Sequence, residues 1–118
     1  RYATTSLRER LYCNEEMHGV LIYTASTDSE GGLGGLIELS KPDNLYEIFV
    51  RALEKMEHCS SDPHCSDARF ELQSTINGAA CHACGFVSET SCEWGNQLLD
   101  RRTLIPLSNG EDLAFFEL

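Results

Sequence analysis

Five of the six cysteines in this 118-residue chain fall between positions 59 and 92. They read Cys59-Ser-Ser-Asp-Pro-His-Cys65, then, sixteen positions on, Cys81-His-Ala-Cys84, then Cys92-Glu-Trp-Gly-Asn96. The residues between them are too polar to make a core alone, so a metal is the natural organiser of the segment. Zinc takes four soft thiolate or imidazole ligands at about 2.0–2.3 Å, and a C-x-x-C supplies two of them from one tight turn. With Cys81 and Cys84 as one pair, the second is drawn from Cys59, Cys65 and Cys92. Three disulfides are the competing use of six cysteines, but Cys13 is isolated and five clustered thiols cannot pair off evenly. A redox C-x-x-C belongs beside a βαβ pattern, and none precedes Cys81. His58, His64 and His82 flank the cysteines; with five thiols available, they are expected in supporting or solvated positions.

Charge excludes further classes. Nineteen acidic residues stand against nine basic ones, a formal charge of −10, whereas a nucleic-acid-binding domain shows a basic face. The only adjacent basic pair, Arg101-Arg102, reads as a solvated turn at a helix end. The chain is therefore expected to reach nucleic acid only through a larger protein or complex. No apolar run approaches the ~20 residues of a membrane span, so no membrane partner and a cytoplasmic location are expected. A hydrophobic content of 42% is that of a globular chain. The sequence starts without Met and reads as one domain, residues 1–118, the C-terminal fragment of a larger protein.

The spacing predicts a small mixed α+β fold: a central buried strand, an amphipathic helix and a zinc-bound cysteine-rich segment. Leu7 and Leu11, four apart behind Thr and Ser, read as the end of a helix over Thr4 to Tyr12. Gly19 to Ala25 is dense in β-branched and aromatic residues and reads as the buried strand. It leads into Gly31-Gly-Leu-Gly-Gly35, which lacks the Lys-Ser/Thr of a phosphate loop; a tight crossover to a helix is expected there, with contact to a partner the competing reading. Ser40-Lys-Pro42-Asp43 is a helix start. Leu45, Ile48, Phe49, Ala52, Leu53 and Met56 follow at helical spacing and are expected in the core. Ala68 to Thr75 is a weak strand, Asn77-Gly78 and Asn109-Gly110 are turns, Glu89 to Arg102 a last helix ended by Pro106, and Leu113 to Leu118 a closing strand.

The order of these motifs carries a resemblance. His18-Gly-Val-Leu-Ile-Tyr-Thr-Ala25, the glycine loop, Cys59 to Cys65, Ala80-Cys-His-Ala-Cys84, Glu89-Thr-Ser-Cys92 and Asn96-Gln-Leu-Leu-Asp-Arg101 cover about residues 13–105. Together they resemble the cysteine-rich C-terminal domain of MrfA-type superfamily 2 DNA helicases. The form is closer to that of DrmB, the helicase-associated subunit of the bacterial DISARM anti-phage system. The resemblance implies a zinc-binding module that supports a motor, with the metal ligands among Cys59, Cys65, Cys81, Cys84 and Cys92, and a helicase subunit or helicase domain as partner.

No Walker motif, no Ser-His-Asp arrangement and no defined carboxylate pair is visible. The expectation is thus a non-enzymatic accessory domain in anti-phage defence or DNA repair, acting through protein–protein or interdomain contacts. The alternative is a zinc-dependent hydrolase or nuclease, with His82 or Glu93 as base. Catalytic zinc keeps an open fourth position, and a surplus of thiols favours a closed one.

Overall fold

A computed structural model of the chain describes residues 6–25, 35–69, 77–107 and 113–117. Their order is β1 (Leu7–Cys13), β2 (His18–Thr24), α1 (Gly35–Leu39), α2 (Pro42–Lys55) and a 3-10 helix, Arg101–Thr103. The fold is mixed α+β, as expected. Contacts divide it into two units, Arg1–Leu45 with Val87–Asn96, and Tyr46–Phe86 with Gln97–Leu118. The glycines at 31, 32 and 34 and the Asn109-Gly110 turn lie outside the described residues.

In the first unit β1 and β2 form an antiparallel hairpin registered from Leu7↔Thr24 to Cys13↔His18. The helix expected over Thr4 to Tyr12 is instead β1. Leu7 and Leu11 share a face in either conformation, because a separation of four is one helical turn and also two strand periods. Pairing with β2 through a short turn decides for the strand. Asn14 closes that turn, its Oδ1 accepting from the backbone N–H of Glu16 and Met17, each at 2.8 Å, the self-contained bonding that suits Asn to turns. Along β1, Glu9 N–H donates to Ser91 O (3.2 Å), and Leu11 N–H donates to the Glu93 carboxylate (2.7 Å).

β2 is a strand as predicted, but it is not buried: Val20, Leu21, Ile22 and Tyr23 are all exposed. Because strand side chains alternate, both faces of β2 present apolar groups. After α1, the Ser40 hydroxyl donates to Ile37 O (2.6 Å). Ser40 therefore closes α1 and does not cap α2, which starts at Pro42, where a missing N–H is no loss.

The helix expected from Glu89 to Arg102 is replaced by turns. Gly95, Asn96 and Leu98 hold φ of 59°, 58° and 64°, left-handed values no right-handed helix accommodates. Buried Asn96 binds the chain back on itself, accepting from Val87 N–H at 3.0 Å and donating to Val87 O at 2.7 Å. Side-chain bonding of this kind competes with helix formation.

The second unit is built on α2 from Tyr46 onward, and the bounds of that helix match the predicted periodicity. Of its apolar stripe only Leu53 is buried; it joins Ala79, Ile105 and Leu107, with Met56 and Phe116 packed alongside. Leu45, Ile48 and Phe49 are exposed, contrary to the expected core, although Phe49 meets Phe116 edge to face at 5.3 Å. Residues 113–117 form no strand; Phe115 and Phe116 donate to Thr103 O and Leu104 O, each at 2.9 Å. Ala68 and Arg69 are not strand either, and the rest of that predicted strand lies outside the described residues.

Arg101 and Arg102, expected in solvent, are buried. Asp100 makes this possible for Arg102, accepting from its backbone N–H (3.0 Å) and its Nε (2.9 Å) and pairing with its Nη2. A Cβ on Gly78 would stand 2.5 Å from Asp100 Oδ2, so glycine is what lets the Asn77-Gly78 bend approach this carboxylate. No described helix is long and apolar enough to cross a membrane.

Candidate metal centre

Two turns of the second unit deliver four thiols. The first begins four residues past the end of α2, at Cys59: Asp62 N–H donates to Cys59 O (3.0 Å) and Cys65 N–H to Ser61 O (3.0 Å). The second is the C-x-x-C, where Cys84, Gly85 and Phe86 N–H all converge on Cys81 O at 3.1–3.2 Å. Each turn aims backbone N–H groups at sulfur. Ser61 N–H points at Cys59 Sγ, Ala83 N–H at Cys81 Sγ and Cys81 N–H at Cys84 Sγ, each 3.4 Å away. Such donors favour sulfur that carries negative charge.

The Sγ atoms of Cys59, Cys65, Cys81 and Cys84 all lie within 4.8 Å of one another. Two separations are 3.6 Å, Cys59 to Cys81, and 3.7 Å, Cys65 to Cys84. A tetrahedral site with Zn–S bonds of about 2.3 Å has S···S edges of roughly 3.8 Å, whereas a disulfide requires about 2.05 Å. All six cysteines are free thiols. The donor set fits a closed four-sulfur zinc site and not a pair of bridges.

Charge in the cluster is unevenly held. Burial pushes the Cys59 thiol above its ordinary value and raises Cys65 far more strongly. Burial also acts on Cys81, but Ala83 N–H and the neighbouring thiols outweigh it and bring the group down to about 7. In the metal-free fold Cys59 and Cys65 thus keep their protons through neutral pH, and zinc must displace both. Zinc affinity is therefore expected to rise with pH, by at least two decades per unit near pH 7. Chelator competition at several pH values reads that slope.

Of the five candidate ligands, Cys92 is not among the four gathered thiols. It belongs to the first unit, where its Sγ accepts from Asn96 N–H at 3.2 Å. His58 and His64 are exposed, and exposed His82 sets its ring against Phe86 edge to face at 4.8 Å. Two residues that hold the site escaped the sequence reading. Asp62 accepts Cys59 N–H at 2.9 Å and Ser66 N–H at 3.0 Å, and pairs with Arg101 at 2.7 Å. Burial would raise its carboxyl; these partners outweigh it and hold the group below its ordinary value. The available signal was an acid inside the cysteine interval with a lone basic pair downstream.

A sulfur cluster on two N–H-lined turns, carried by a small α+β fold, defines a structural metal-binding domain. The profile of the MrfA Zn-binding domain matches residues 1–85, and the chain belongs to that family. The metal is accordingly zinc. The matched span contains all four gathered cysteines and ends before Cys92 and Arg101. Over 116 residues, 98% of its length, the chain is 46% identical to the DISARM protein DrmB of Bacillus paralicheniformis. That alignment covers 21% of the relative, so the chain spans about a fifth of the length of the curated protein it matches.

Proposed function

We propose that this chain is a non-enzymatic, zinc-stabilised accessory domain of a DrmB-like, helicase-associated protein in bacterial anti-phage defence or DNA repair. It acts in the cytoplasm through contacts with the rest of its polypeptide or with a helicase partner. The observation that carries this reading is the four-thiol cluster, which fills a tetrahedral shell and leaves no position for a reactive water. The candidate bases of a hydrolase have other contacts: Glu93 accepts from Leu11 N–H and lies 3.8 Å from Arg10, and the exposed His82 ring meets Phe86 edge to face. A net charge of −10 argues against direct grip on nucleic acid.

The contact surface in this reading is the hairpin. Val20 and Ile22 on one face, with Leu21 and Tyr23 on the other, expose an apolar area of the kind that marks interaction sites. In the full-length protein, Ile22→Glu is expected to abolish phage protection or the repair phenotype while one zinc per chain is retained. Unchanged function in that variant removes the hairpin from the proposal. Zinc-dependent cleavage of nucleic acid or of another ester by the purified chain overturns the non-enzymatic reading.

A further inference from the structure

We infer that Arg101 is a positioning residue of the zinc site: one buried guanidinium that locks the two cysteine turns together and offsets the charge of their thiolates. Only 2% of Arg101 is exposed, and its donors reach three separate segments. Nε donates to Ala79 O at 2.8 Å, Nη1 to Met56 O at 2.9 Å and Nη2 to Asp62 Oδ1 at 2.7 Å. Ala79 lies two residues before Cys81, and Met56 three residues before Cys59. Asp62 lies inside the first turn and extends the connection, because its carboxylate also holds the N–H groups of Cys59 and Ser66. Every turn that carries a thiol is thereby tied to one rigid, planar group.

The charge argument is independent of the bonding. Four thiolates around Zn²⁺ carry a net charge of −2, and taking such a group out of water is unfavourable without a nearby opposite charge. Arg supplies a cation that stays protonated when buried, in a fork that can serve several acceptors at once. Lys would supply the charge from a single point. Arg102 provides an internal comparison: it is also buried, but the carboxylate it pairs with, Asp100, belongs to neither cysteine turn, whereas that of Arg101, Asp62, lies between Cys59 and Cys65.

The test measures zinc affinity of the full chain by competition with a chromophoric chelator, together with the absorption bands of the cobalt-substituted protein. Arg101→Met is expected to weaken zinc binding 10–100-fold, the range found when groups supporting metal ligands are removed, and to alter the cobalt–thiolate bands. Arg101→Lys is expected to recover part of the affinity. Arg102→Met is expected to lower thermal stability with zinc affinity within about twofold of the parent. Equal affinity in Arg101→Met and the parent, or equal losses in the Arg101 and Arg102 variants, overturns the inference. Should Arg101→Met fail to fold in excess zinc, Arg101→Lys decides alone, and parental affinity in that variant is the overturning result. The inference rests on the zinc reading, whose failure is distinguishable: the parent chain itself would then bind no zinc.

Discussion

Cys81→Ser is expected to leave the chain without stoichiometric zinc and without a cooperative melt of its second unit, whereas Cys92→Ser keeps one zinc per chain. The difference follows from where the two thiols sit. Cys81 lies 3.6 Å from Cys59 and within the four-sulfur group, so its loss removes one ligand and opens the shell. Cys92 accepts a backbone N–H in the other unit. The effect is large because, among the described residues, the buried apolar cluster of the second unit is small, with Leu53, Ala79, Ile105 and Leu107 as its members. Structural zinc in zinc-finger peptides contributes roughly 10–16 kcal/mol of apparent binding energy at pH 7, and where the site forms only on folding that energy is also folding energy. Metal analysis under reducing conditions and melting with and without EDTA read the result. Zinc retained in Cys81→Ser, or lost in Cys92→Ser, would mean a different ligand set.

What could be read before the structure divides along physical lines. The helix Pro42–Lys55 was legible because its apolar spacing and its proline start are local signals that agree. The cysteine cluster was legible because a C-x-x-C constrains two ligands by covalent spacing alone. β1 was misread because Leu7 and Leu11 are equally well placed on a helix and on a strand. The last predicted helix failed at Gly95, Asn96 and Leu98, where left-handed backbone is stabilised by the Asn96 amide, a bond between residues nine apart that no periodicity reports. Arg101 was the largest omission. Two adjacent arginines look solvated in sequence, and what reverses that is the distant groups Arg101 meets, at Met56, Asp62 and Ala79, together with the neighbouring Asp100 carboxylate that holds Arg102. Burial was the property least accessible: the chain's most apolar run, Val20 to Tyr23, is exposed, while a guanidinium is enclosed.

Ile105→Ala is expected to be the most damaging single change that touches no metal-site residue. Ile105 has 0% exposure, alongside Ala79 at 0% and Leu53 and Leu107 at 8% each. Removing most of its side chain forfeits the transfer energy of three carbons and leaves a void that a close-packed neighbourhood only partly refills, in all about 2–5 kcal/mol. In a domain of this length each kcal/mol moves the melting temperature by about 4 °C, so a loss of roughly 8–20 °C is expected with zinc saturating. Ile105→Val, which removes one methyl group, should cost only about 0.5–1.5 kcal/mol. Ile22→Ala serves as the counter-experiment: Ile22 is 56% exposed, and substitutions at such surface positions typically change stability by less than about 0.5 kcal/mol. Melting curves of the three variants at constant free zinc give the order. An Ile22→Ala loss as large as that of Ile105→Ala would show that the hairpin contributes as much to stability as the cluster around Ile105, and would overturn the expected order.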